Sequence, residues 1–133
     1  MTQQDRDLLL RDLSARSPYG VKVFIQDITG KYSTITERTC DTYVLQFLRN
    51  KNILIKPYLR PMSSMTEDER KEYNDIVKNT IDFYNCPKSE EICFFITPID
   101  WLNAHHFDYR GLIEKGLALE AQKGMYEIVT TNI

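Results

Sequence analysis

Long apolar runs are missing from this chain. No stretch of its 133 residues approaches the roughly 18 consecutive apolar residues of a membrane-spanning helix. The opening Met1-Thr2-Gln3-Gln4-Asp5-Arg6-Asp7 has neither the positive flank nor the apolar core of a secretory signal. A cytoplasmic protein with no membrane partner is therefore expected. Neither sign of charge predominates: 17 Lys and Arg stand against 19 Asp and Glu, a formal charge of −2, with a pI near 5.7. Such a balance supplies no general field for holding nucleic acid. Cysteine is scarce, and Cys40, Cys86 and Cys93, odd in number and unevenly spaced, suit reduced thiols better than a disulfide framework. Serine nucleophile elbows and glycine-rich phosphate loops are also missing, since Gly111 and Gly116 lack the following Lys-Ser/Thr of such a loop. That weighs against catalysis, and no cofactor is implied.

Hydrophobic residues make up 42% and charged residues 27%, close to globular averages, so disorder, fibres and coiled coils are poor descriptions. The length fits one domain spanning residues 1–133. Leu9 and Leu13 form an i,i+4 pair in a charged background, which predicts a first helix over about 4–16, capped by Thr2 or Asp5 and ended at Ser17-Pro18-Tyr19-Gly20. After Gly20 the period becomes two. Val21, Val23 and Ile25 fall on one side and Lys22, Phe24 and Gln26 on the other, and Lys31 to Thr36 resumes in β-prone residues, giving a hairpin that turns near Thr29-Gly30. The run 43–48 fits a strand or a short helix, and a second hairpin with Ile53-Leu54-Ile55 is the preferred reading.

Pro57 and Pro61 make 56–65 an extended connector at a surface or edge. Thr66-Glu67-Asp68-Glu69 has the form of a capping box, so a helix begins at 67 and carries Tyr73, Ile76, Val77, Thr80, Ile81 and Tyr84 on one face. Ile92 to Ile96 reads as a buried strand, and Thr97-Pro98-Ile99-Asp100 as a well-specified helix start running to about His106. Asp108 is placed to cap a second short helix over 110–115, ended by Gly116, and the tail reads as a hairpin or two edge strands. The expected fold is α+β: a small antiparallel sheet of about four to six strands with an N-terminal helix, a long central helix and a pair of short C-terminal helices.

The stretch from Thr97 to Gly116 gathers the only Trp and both His residues, as active sites do. His105, His106 and Asp108 include metal-ligand types, but adjacent positions on a helix diverge by about 100°, and the usual helical pair is i,i+4. No metal site is expected. His106, Asp108, Tyr109 and Glu114 could exchange protons if they met in a cleft. The structural alternative places one histidine beneath Trp101, with a hydrogen bond to a carbonyl or to Asp108, and the other in water. A second candidate is the Lys51–Arg60 connector, where Lys56, Tyr58 and Arg60 combine charge and an aromatic ring as single-strand binders do. A solvated edge that discourages strand pairing explains the same residues, and nucleic acid is not the expected partner.

Aromatics make up 11% of the chain, and its eight tyrosines exceed what a core of this size needs. Protein binding is accordingly the leading reading, with another protein or a second copy of the chain as partner. Three blocks, Pro18 to Val23, Lys56 to Glu67 (KPYLRPMSSMTE) and Asp100 to Ala121 (DWLNAHHFDYRGLIEKGLALEA), cover about a third of the sequence. They resemble a group of short proteins of gut Bacteroidota bacteria and their prophages and phages. The resemblance implies a phage or mobile-element accessory protein working in the bacterial cytoplasm, and it carries no residue role with it.

Overall fold

A computed structural model of the chain describes residues 2–27, 35–50, 52–84 and 97–126, with the side chains at 35, 36, 43, 47 and 82–84 excepted. Helix α1 spans Gln3–Arg16 and opens with a complete capping box: the Asp5 amide donates to Thr2 Oγ1 and the Thr2 amide to the Asp5 carboxylate, both at 3.1 Å. A short 3₁₀ turn at Ser17–Tyr19 follows, and Gly20, at φ 74, reverses the chain into the sheet. That conformation is why glycine stands there.

Strands β1 (Lys22–Asp27), β2 (Ile35–Thr39) and β3 (Ile53–Leu59) form an antiparallel core in the order β2-β1-β3. Val23 pairs with Arg38 on one side and with Pro57 on the other. The fourth strand, β4 (Leu119–Glu120), lies parallel to β3 at Tyr58 and Leu59, so the sheet is mixed at that end. The expected α+β architecture is present. The hairpin turn near Thr29-Gly30, the strand 92–96, the thiols of Cys86 and Cys93, and the tail past 126 lie outside the described residues.

Three details depart from the sequence reading. The run 43–48 is helical, as α2 (Thr42–Gln46) and a 3₁₀ turn at Phe47–Arg49, and not half of a hairpin. Its start is set by Asp41, whose carboxylate accepts from the Val44 amide at 2.9 Å. Pro57 lies within β3, not in a connector. The Cys40 amide donates to the Val21 carbonyl, so Val21 and, by alternation, Val23 turn their main-chain groups toward β2, and Val23 meets Pro57 as a non-hydrogen-bonded pair in which no amide hydrogen is needed. Residues 110–115 form turns where a second short helix was expected.

Helix α3 (Glu67–Tyr84) begins as the sequence specifies: the Glu69 amide donates to Thr66 Oγ1 at 3.2 Å and the Thr66 amide to Glu69 Oε1 at 3.1 Å. Helix α4 (Pro98–Ala104) is capped by Thr97, which accepts from the Asp100 amide. Two apolar clusters result. The larger joins Leu9 and Leu13 of α1 to Val23, Val44, Ile55, Leu59, Leu112 and Leu117, and the smaller holds Trp101, Leu102 and Phe107 beneath Tyr73 and Ile76 of α3. Cys40 lies in the larger one, where burial first and the Asp41 carboxylate second push its thiol up to about 11, so it stays protonated and inert. Thr66→Ala should cost about 1 kcal/mol of stability in urea unfolding, whereas Thr66→Ser should cost much less, because the serine hydroxyl still accepts from the Glu69 amide.

Candidate functional site

The histidine corner is built where α4 ends. His105 closes the helix, and His106 takes φ 64, an uncommon conformation for a side-chain-bearing residue. The reversal sends the two imidazoles to different places. His105 stacks on Trp101 with ring centroids 4.1 Å apart, and its Nδ1 lies 3.6 Å from Glu69 Oε2. Glu69 is in turn held by both terminal nitrogens of Arg60, at 2.8 and 2.6 Å, while the Arg60 guanidinium lies over the Phe107 ring at 4.2 Å. Burial lowers the pKa of His105, and Glu69 restores only part of it. Burial also works against the Glu69 carboxylate, but the Arg60 and Thr66 hydrogen bonds outweigh it and hold the group below its usual range.

His106 turns the other way and is buried, stacked on Tyr126 with centroids 3.8 Å apart. The expectation that the second histidine faces water is not met. Asp108 accepts from the amides of Leu112 (2.9 Å) and Ile113 (3.0 Å), capping the turn that follows. The Tyr109 hydroxyl donates to Asn103 Oδ1 at 2.8 Å, and Glu114 is exposed. His105, His106, Asp108 and Tyr109 are thus adjacent in sequence but separately engaged, with no cleft in common among the described residues. No group of three or more His, Cys, Asp or Glu side chains among those residues is arranged to hold a metal ion.

The most constrained polar cluster was not singled out from the sequence. Asp12 and Arg16 of α1 are both fully buried, with Arg16 Nε 2.9 Å from Asp12 Oδ2. Arg16 Nη2 donates to the Phe107 carbonyl at 2.7 Å, and Arg110 Nε reaches the other Asp12 oxygen at 3.1 Å. A legible signal existed: Leu9, Asp12, Leu13 and Arg16 fall at i, i+3, i+4 and i+7, the spacing of a single core-facing stripe. Charge at two of the four positions disguised it.

The connector residues also have partners. Tyr58 is only 4% exposed and its hydroxyl donates to Glu37 at 2.7 Å, while Arg60 is committed to Glu69. Burial, followed by that carboxylate, pushes the Tyr58 hydroxyl up to about 12. Lys56 is half-buried opposite Phe24, and Lys51 lies outside the described residues. Two of the three residues of that candidate set, Tyr58 and Arg60, therefore sit against carboxylates, which would repel phosphate.

Among the described residues a surface depression lies elsewhere, between α1 and the α2 segment. It is a groove of about 950 Å³ lined by Leu10, Leu45 and Leu48, with Arg6, Asp7 and Arg49 among its polar residues. A cleft of about 190 Å³ beside Arg60, Ser64, Gln122, Lys123 and Tyr126 is too small for a polypeptide segment. No protein-family model, curated protein or solved structure matches the chain. No described helix is long and apolar enough to cross a membrane.

The buried ion pair makes a sharp prediction. Asp12→Ala should destabilise the protein by about 3–5 kcal/mol, since it strands a buried guanidinium. Arg38→Ala, which breaks a half-exposed pair with Asp41, should cost at most about 1 kcal/mol. Chemical unfolding of both variants provides the comparison, and equal losses would remove the special standing of Asp12.

Proposed function

We propose that the chain is a non-catalytic protein-binding domain, a phage or mobile-element accessory protein acting on a host or phage protein in the bacterial cytoplasm. The observation that carries this reading is the groove between α1 and α2. Leu10 is 41% exposed there and shares the groove with Leu45 and Leu48, while Arg6 and Arg49 exceed the single carboxylate of Asp7 by one charge. An apolar floor with cationic margins suits an apolar segment flanked by carboxylates, laid into the groove as an amphipathic helix is. The dispersal of the histidine-corner residues into separate structural contacts supports a binding role over a chemical one.

Capture from bacterial lysate with wild-type and Leu10→Asp baits, followed by titration of the recovered partner, tests the assignment. Leu10→Asp should leave the fold intact and weaken the partner by about tenfold or more, or about 1.4 kcal/mol. Arg49→Glu should weaken it further at low salt than at high salt. A partner that binds wild type and Leu10→Asp equally would move the interface elsewhere. Recovery of none, with monomeric behaviour in solution, would count against the protein-binding reading as a whole.

A further inference from the structure

The ladder between β1 and β3 is interrupted in an informative way. Val23 pairs with Pro57, so the next pair in register would be Lys22 with Tyr58. Because the Val23–Pro57 pair is of the non-hydrogen-bonded kind, that next pair would exchange main-chain hydrogen bonds, with the Lys22 amide donating to the Tyr58 carbonyl. A side chain stands in that place. The Tyr126 hydroxyl accepts from the Lys22 amide at 2.9 Å and donates to the Tyr58 carbonyl at 2.6 Å.

Tyr126 belongs to the segment that begins with β4, and three further contacts hold that segment. The Ala121 amide donates to the Leu59 carbonyl at 2.7 Å, Lys22 Nζ donates to the Met125 carbonyl at 3.0 Å, and the Tyr126 ring lies on His106. His106 is suited to this contact only as a neutral ring. Its Nδ1 is buried without a hydrogen-bond partner among the described residues, which a bare lone pair tolerates better than an added N–H. The charged groups acting on it are cationic: Arg16 from α1, Arg60 beyond β3, Lys22 from β1, and His105 when protonated.

We propose that Leu119–Tyr126 is a strap that neutral His106 holds closed and protonated His106 releases, the vacated ladder position closing by direct pairing of Lys22 with Tyr58. The hydrogen bonds lost by the two main-chain groups on release are thereby replaced by one between them. This gives the sheet end two competing arrangements. Opening the strap also removes one wall of the small cleft beside Arg60 and Ser64, which Gln122, Lys123 and Tyr126 line.

The sign follows from the surroundings. Burial first and Arg16 second hold the His106 pKa near 4 in the closed form, against 6.5 for a free histidine. The closed form binds fewer protons, so the contribution of neutral His106 to closure is fully present above pH 6.5 and is lost as the pH falls from there toward 4. Between pH 7 and 4.5 the opening equilibrium should rise roughly fiftyfold.

Amide hydrogen exchange on the full chain, read residue by residue and corrected for intrinsic rates, tests this. Protection of the Ala121 amide should fall by that factor, while the amides of Lys22, Val23 and Leu13 keep theirs. His106→Asn cannot titrate and suits a positive φ, so it should show weaker protection at Ala121 that no longer varies with pH. Unchanged Ala121 protection at pH 4.5 would overturn the strap, as would the same pH dependence in His106→Asn. Loss at Ala121 together with Val23 and Leu13 would mean general acid unfolding instead. Loss at Lys22 with the core retained would refute closure of the ladder. Should His106→Asn fail to fold, Tyr126→Phe serves: it should lower Ala121 protection at pH 7 and leave the pH dependence in place, and no effect at pH 7 would refute the latch.

Discussion

The buried guanidinium of Arg16 is the constraint around which the rest is arranged. Fully removed from solvent, it would cost several kcal/mol if left unpaired. Asp12, one helical turn earlier, supplies the countercharge, and the Phe107 carbonyl supplies a second acceptor. Those partners lie on different elements, so α1 cannot rotate or slide without undoing one of them. The same carboxylate receives Arg110, and the aromatic ring of Tyr109 lies within 5.0 Å of both guanidinium groups. One ion pair thereby ties the N-terminal helix to the corner that follows α4, and the two apolar clusters to each other.

Arg60 performs a comparable task on the far side of Phe107. It extends from the end of β3, grips Glu69 with two hydrogen bonds, and covers the Phe107 ring. Glu69 is also the capping-box residue of α3, so one carboxylate both starts the central helix and fastens it to the sheet. Main-chain pairing completes the arrangement: the Arg60 amide donates to the His106 carbonyl at 2.7 Å and the Asp108 amide to the Arg60 carbonyl at 2.8 Å. The reversal at His106 is held from several directions, which is how an uncommon backbone conformation persists.

Local signals in the sequence were legible in proportion to how local their physics is. The capping box at Thr66, the Thr97 cap and the break at Gly20 depend on residues within one turn and appear as expected, and of the two cap candidates Thr2 and Asp5 it is Thr2 that caps α1. The run 43–48 is open to strand or helix because so short a stretch has no decisive period, and the Asp41 cap decides it for the helix at Thr42–Gln46. Pro57 inside a strand was missed because the rule against it applies to positions that must donate, and register determines which positions those are. The polar clusters were least legible. Arg60 and Glu69 stand nine residues apart, Asp12 and Arg110 ninety-eight, and only the folded chain reveals that they meet.

That distribution explains why His105, His106, Asp108 and Tyr109 gather in one stretch yet engage separate partners. Among the described residues the sheet has three substantial strands and a fourth of two residues, and at the Tyr58 end the pairing of those strands leaves main-chain groups to be satisfied by other means. Side chains with two-sided hydrogen bonding or flat rings do this work: the Tyr126 hydroxyl in the ladder, His106 against its ring, and Asp108 on two amides. Histidine, tyrosine and aspartate are chosen at active sites for the same properties. Here those properties serve contacts within the fold, whereas Leu10 stays exposed in the groove between α1 and α2.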